Sequence, residues 1–173
     1  MSTSAMQIPR ITKVTVNIGV GEGGQRLQLA ERVLGSLTGR TPTRTLSRTH
    51  NRDLKLRKGA PIGCKVTMRE PELVQRFLKD ALWVRENTLP GYCFDTSGNL
   101  SFGVRDHTDF PEQKYDPETG VFGMDINVVL ERPGHRVARR RQHKGRVGKN
   151  HHVSQTEAKA WFTEKYGVSI KEE

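Results

Sequence analysis

Hydrophobic positions along the chain switch between a spacing of two and a spacing of three to four, and each switch marks a change of element. Residues 11–18 alternate, with Thr12, Val14, Val16 and Ile18 on one side and Lys13, Thr15 and Asn17 on the other, which predicts a strand with one face in a core. Residues 25–37 place Leu27, Ala30, Val33, Leu34 and Leu37 on one helical stripe, and Gly39 supplies a stop. Residues 43–48 alternate small polar groups with arginine and predict a second strand. Residues 62–69 predict a clearer one, with Ile62, Cys64, Val66 and Met68 inward and Lys65, Thr67 and Arg69 outward. Pro71 suits a first helical position, and Leu73, Val74, Phe77, Leu78, Ala81 and Leu82 repeat helically through Val84, with Trp83 expected at the core or its edge. A break at Leu89-Pro90-Gly91 precedes two more alternating strands. Leu100, Phe102 and Val104 line the first; Phe122, Met124, Ile126, Val128 and Leu130 line the second, with Gly123, Asp125, Asn127 and Glu131 behind them. Ser154 and Glu157 form a capping box opening a helix with Ala158, Trp161 and Phe162, and residues 168–170 add a short closing strand.

This order predicts an α+β fold of two layers: a largely antiparallel sheet with helices on one face and a partly polar face left open. At 173 residues the chain is expected to form a single domain, with a flexible N-terminus at 1–7, an extended arm at 132–153, and a C-terminal helix and tail at 154–170. The open face would carry Lys13, Asn17, Lys65, Thr67 and Arg69. It would be continuous with a long, charged loop at 49–61, of the kind that more often carries function than merely joins strands.

Charge sharpens the picture. The formal net charge is +10, and it is concentrated. Residues 40–69 hold nine Lys/Arg against one acid, Asp53, and residues 132–149 hold eight cations and no acid; the rest of the chain has 12 basic and 18 acidic residues. Concentration of this kind fits a partner with ordered negative charge, most often a phosphate backbone. The arm, rich in arginine and histidine with almost nothing apolar to bury, is expected to be poorly ordered alone and to fold against phosphates. No apolar run approaches membrane-spanning length and residues 1–10 lack the apolar core of a signal peptide, so a cytoplasmic protein without membrane contact is expected. Two separated cysteines, Cys64 and Cys93, suit a reducing compartment and exclude a disulfide framework.

Two motifs suggest other chemistry. Gly19, Gly21 and Gly24 satisfy G-x-G-x-x-G, yet no acid follows about 20 residues on, and Gln25-Arg26 stands where a phosphate loop needs Lys-Ser/Thr. A tight strand-to-helix turn accounts for the glycines. Residues 106–118 gather Asp106, His107, Asp109, Glu112, Asp116 and Glu118, which leaves open a metal-dependent RNA-processing enzyme; without a ligand spacing that can be named, a polar surface loop is the better reading, and no metal site or cofactor is expected.

Five blocks, IPRITKVTVNIGVGEGG, LTGRTP, KLRKGAPIGCKVTMR, SGNLSFGV and GVFGMDINVVLERPGHRVARRR, together resemble the universal 5S-rRNA-binding family of the large ribosomal subunit, L-five, nearly end to end. The arginine-rich arm and final helix are similar to its archaeal form. The resemblance implies a non-enzymatic ribosomal protein of the central protuberance, with 5S rRNA, 23S-type large-subunit rRNA, peptidyl-site tRNA and neighbouring ribosomal proteins as partners. Its RNA-contacting motifs fall on Asn17, Arg40 and Thr67. Together with the cations of the face and arm, the candidate rRNA-binding set is Lys13, Asn17, Arg40, Arg44, Lys65, Thr67, Arg69, Arg136, Arg139, Arg140, Arg141, Lys144 and Arg146. The loop that reaches toward tRNA in the family corresponds to Arg48, His50, Asn51, Arg52, Lys55, Arg57 and Lys58. Two positions depart from the family pattern. Arg40 replaces the usual Gln and favours a phosphate clamp, and Leu54 replaces an aromatic found in many members.

Overall fold

A computed structural model describes residues 4–111 and 113–171. Five strands form an antiparallel sheet in the order β2-β3-β1-β6-β5: β1 Arg10–Gly19, β2 Thr43–Leu46, β3 Pro61–Met68, β5 Leu100–Val104 and β6 Met124–Glu131. Helices α1 (Gln25–Thr38) and α2 (Pro71–Val84) lie across one face, chiefly against β1 and β3. This is the expected α+β, two-layer arrangement.

Parity explains the layers. Val14, Val16 and Ile18 of β1, Cys64, Val66 and Met68 of β3, and Met124, Ile126, Val128 and Leu130 of β6 are all buried and meet Leu27, Ala30, Leu34, Val74, Leu78 and Leu82 of the helices in one core. The start of β1 differs from expectation. A bulge sets Ile11 opposite Leu130 and Lys13 opposite Val129, leaving Thr12 without a pair. Two residues then face one, parity slips, and Ile11 packs on the core while Thr12 donates to Glu131. Strand β2 is also shorter than residues 43–48: Ser47 is buried, and its hydroxyl donates to the Thr49 carbonyl.

Pro71 occupies the first turn of α2 as expected, but Trp83 does not sit at the core: it is 61 % exposed, one position past the buried Leu82. The segment read as a break contains β4 (Thr88–Pro90), which pairs in parallel with β7 (Ser169–Lys171) in a separate two-stranded ribbon. Helix α4 (Gln155–Tyr166) adds Ala158 and Phe162 to the core, with Phe162 edge-on to Phe94. Its Ser154 cap accepts from the Glu157 amide, but the Glu157 carboxylate turns outward to Arg132.

The glycine motif is a turn whose amides are spent inside the fold. Val20 and Gly21 N–H both donate to the Ile62 carbonyl, at 3.0 and 2.8 Å, so they are not free to cradle a phosphate. The link at 106–120 is anchored rather than merely polar. His107 is buried and its Nδ1 accepts from the Phe122 amide, while Phe110 stacks on Phe77. Burial holds the His107 imidazole below the usual histidine range against the pull of Asp106.

Candidate nucleic-acid interface

Strand register turns the second face of the sheet into rows of short polar groups. One row crosses all five strands as Thr43, Lys65, Asn17, Asp125 and Gly103; the next runs Thr67, Thr15, Asn127 and Ser101. Strands lie about 4.8 Å apart, so five of them make a platform about 19 Å wide. Lys13, Asn17 and Thr67 are half-buried and Lys65 is exposed, and among the described residues no helix covers them. The Thr15 and Thr67 hydroxyls stand 3.4 Å apart, a cross-strand pair on the bare face. Side chains of this length keep a surface flat while offering donors and acceptors.

At the β3 edge the platform dips into an open concavity of about 610 Å³ that brings together Arg40, Lys65, Thr67 and Arg69 with Thr41 and Thr43. Gly39 makes this possible. It ends α1 in the left-handed conformation at φ 63°, its amide closing on Gly35, and throws Arg40 outward. Arg40 is held by the Glu70 carboxylate in an exposed pair, the kind worth little and readily exchanged for a phosphate.

Arg44 does not join this group. It pairs with Cys64, an inward position, and so points to the helix side. There its Nε and Nη2 donate to both carboxylate oxygens of Glu31 on α1, at 2.5 and 3.1 Å, a hydrogen-bonded pairing that lowers the Glu31 pKa and raises that of the Arg44 guanidinium.

The loop at 49–61 is a closed hairpin. Asn51 and Leu56 exchange both backbone hydrogen bonds, and the Asn51 side chain accepts from the Asp53 and Leu54 amides at 2.9 and 3.3 Å. Asn51 is thereby committed to shaping the tip. Arg48, His50, Arg52, Lys55, Arg57 and Lys58 are exposed around it, and Leu54 at the apex is 66 % exposed.

The arm leaves the opposite end of the sheet, where Glu131 pairs with Arg10 at the start of β1. Contrary to the expectation of a strand of chain without order of its own, it is gathered on Arg132. The guanidinium donates to the carbonyls of Gln7 (2.9 Å), Asn150 (3.0 Å) and His152 (3.2 Å) and to the Glu157 carboxylate. A short helix, α3 (Arg136–Arg139), follows, and Gly145 N–H returns to the Val137 carbonyl. His135 stacks on His151 and meets His152 edge-on, and burial pushes its pKa down. Arg136, Arg140, Arg141, Lys144 and Arg146 are exposed; Arg140 Nε donates to the His143 carbonyl, and Arg139, also exposed, is bonded to Glu131.

The acidic stretch does not assemble a centre among the described residues. Asp106 accepts from the Thr108 amide, and Asp116 accepts from the Glu118 amide and the Thr119 hydroxyl, so both shape turns; Glu112 lies outside the described residues. Among the described residues, no group of His, Cys, Asp or Glu could hold a metal ion and no helix is long and apolar enough to cross a membrane. Reasoning from sequence put Thr15 on the polar side of β1 without naming it a site residue, and missed Thr41, Thr43, Ser101 and Arg132. Thr43 and Ser101 follow from strand pairing and could have been sought by extending the rows; Thr41 lies ahead of β2 and joins only through the concavity, and Arg132 carried no signal beyond its place at the mouth of a basic run.

A family model for ribosomal protein L5 matches residues 4–57, and the model of the same family's C-terminal part matches residues 61–160. The chain is similar to large ribosomal subunit protein uL5 of Methanococcus aeolicus, 44 % identical over 171 residues covering 97 % of this chain and 94 % of that protein. It is 42 % identical to the uL5 of Methanococcoides burtonii, covering 98 % and 99 % of the two chains, and 43 % identical to that of Methanoregula boonei, covering 96 % and 100 %.

Proposed function

The chain belongs to the ribosomal protein L5 family, a structural and non-enzymatic ribosomal constituent, and on that premise we propose that its open sheet face binds 5S ribosomal RNA. The observation that carries the reading is the uncovered row of Lys65, Asn17 and their neighbours, next to a concavity holding Arg40, Thr67 and Arg69. Folded RNA presents a wide, shallow minor groove lined with 2′-hydroxyls and flanked by phosphates. A flat face of amides and hydroxyls can lie along that groove, and cations at its rim take the phosphates. Arg40 and Arg69 supply the rim on the β3 side, Lys13 toward the arm.

The two cationic appendages have separate duties in this reading. The hairpin at 49–61 projects beyond the loop end of β1 and contacts peptidyl-site tRNA through Arg48, His50, Arg52, Lys55, Arg57 and Lys58. The arm, with Arg136, Arg139, Arg140, Arg141, Lys144 and Arg146, engages large-subunit rRNA and protein neighbours in the central protuberance. Arg44 is left to hold β2 against α1 through Glu31.

The test is direct. Asn17→Ala and Thr67→Ala should each weaken binding to a 5S rRNA transcript by about 1 kcal/mol, roughly fivefold, in a filter-binding or mobility-shift titration. Unchanged affinity in both variants removes the sheet face from the interface. Replacing residues 50–58 with a short glycine linker should spare 5S binding and impair tRNA engagement on reassembled subunits; loss of 5S binding would overturn the division of labour.

A further inference from the structure

We propose that Asp125 is a specificity-determining residue on the open face, accepting a hydrogen bond from a guanine amino group in the minor groove of the bound RNA. The inference rests on the reading that this face lies on RNA, and it concerns a residue with the wrong charge for phosphates. Asp125 stands between Asn17 on β1 and Gly103 on β5, within the row that crosses the whole sheet. It is exposed, and its side chain makes no hydrogen bond or ion pair with any described residue. Arg105, just past the end of β5, makes no ion pair with it, and Lys65 lies two strands away, about 10 Å across the sheet.

The surroundings keep that carboxylate accessible. Gly103 faces Asp125 directly, and a Cβ at Gly103 would come 3.7 Å from Asp125 Oδ1. Gly123 precedes it on the same face of the chain and is exposed too. With bare backbone on two sides, a base edge can approach the carboxylate in the plane of the sheet.

Chemistry then narrows what approaches. An ionised carboxylate is acceptor-only, so it repels phosphate and ignores the ring nitrogens and carbonyls that also line a minor groove. The donors available there are the ribose 2′-hydroxyl and the guanine amino group. The hydroxyl is present at every nucleotide and carries no sequence. The amino group marks guanine alone. Neighbouring Asn17, Thr15, Asn127 and Thr67 can donate as well as accept and therefore tolerate any sequence; Asp125 cannot, and this singles it out as the reader of base identity.

Inosine lacks the guanine amino group and otherwise pairs like guanosine, which makes it the probe. A 5S rRNA transcript carrying sparse, phosphorothioate-tagged inosine is partitioned into bound and free fractions by the full-length protein, and the interfering positions are mapped by iodine cleavage. We expect at least one position where inosine is depleted from the bound fraction of the parent protein and not from that of Asp125→Ala. Asp125→Asn should weaken binding of the unmodified transcript about tenfold. Two results overturn the proposal: no inosine position whose interference depends on Asp125, or an Asp125→Asn protein that binds as tightly as the parent or tighter, as it would if the carboxylate only repelled phosphates or awaited a cation from a protein neighbour. Asn17→Ala and Thr67→Ala in the same titration separate the failures. If they weaken binding while Asp125→Asn does not, the face binds RNA and only the role of Asp125 falls.

Discussion

Arg132→Ala should destabilise the protein and loosen the basic arm together, because one guanidinium ties three separate segments. Its side chain is 16 % exposed and bonds to carbonyls at Gln7, Asn150 and His152 and to the Glu157 carboxylate, itself 36 % exposed. A charged donor to a buried carbonyl would contribute about 1.5–3 kcal/mol, but Gln7, Asn150 and His152 are exposed and regain water when the arginine goes, so each bond is discounted to about 0.5 kcal/mol. The part-exposed ion pair adds about 1 kcal/mol. The loss is then about 2.5 kcal/mol, which for a chain of this length lowers the melting temperature by roughly 5–10 °C. Arg132→Lys keeps the charge without the planar fork and should lose about half as much. Circular-dichroism melts measure the first effect. Limited trypsin digestion measures the second, with faster cleavage between Arg136 and Lys149 expected in Arg132→Ala. A melt within about 2 °C of the parent, with unchanged cleavage in the arm, would refute the view that Arg132 organises this end of the molecule.

Other expectations follow from the core and from the charge. Gly63 lies opposite both Gly19 and Thr45, and a Cβ there would stand 2.6 Å from the Ile18 carbonyl oxygen; Gly63→Ala should cost about 3 kcal/mol or more and show as a large fall in melting temperature, whereas a near-parental melt would mean the strands part easily. Burial pushes the Cys64 thiol up to about 11, so between about pH 9 and 11 the folded state keeps a proton that the unfolded chain releases, and stability should fall as pH rises through that window. Urea titrations at pH 8 and 10.5 check this, and the pH-dependent loss should shrink in Cys64→Ala. Ellman's reagent at pH 8 should reach Cys93 before Cys64, which is fully buried. If about six phosphates are neutralised, the affinity for 5S rRNA should fall with salt at a log–log slope of roughly −4 to −5; a slope near −1 would exclude a phosphate-rich interface.

Alternation alone placed Lys13, Asn17, Lys65 and Thr67 on one side of two strands, because the partner side was plainly apolar and parity left no choice. Where both sides were polar, parity had nothing to grip. Residues 43–48 show this: Arg44 looked like its neighbours in sequence, and only pairing with Cys64 turns it toward Glu31 and away from the open face. A bulge is equally silent in one strand, since it is a relation between two, and so Thr12 was placed inward where Ile11 packs. Trp83 follows Leu82 on a helix whose apolar stripe is wide enough to suggest it either way. The ribbon of β4 and β7 joins segments far apart in the chain and too short to announce themselves. The arm was legible as charge but not as architecture, because its order comes from carbonyls converging on Arg132, and carbonyls belong to every residue alike.

Strand β1, ten residues long, ends beside the hairpin at Gly19 and beside the arm at Arg10. At about 3.3 Å per residue that is a ruler of about 30 Å, hydrogen-bonded on both edges and backed by the core. Its length cannot stretch. Any two bodies gripped by the hairpin and the arm are therefore held at a set separation, and a shift of one must either drag the other or break its hold.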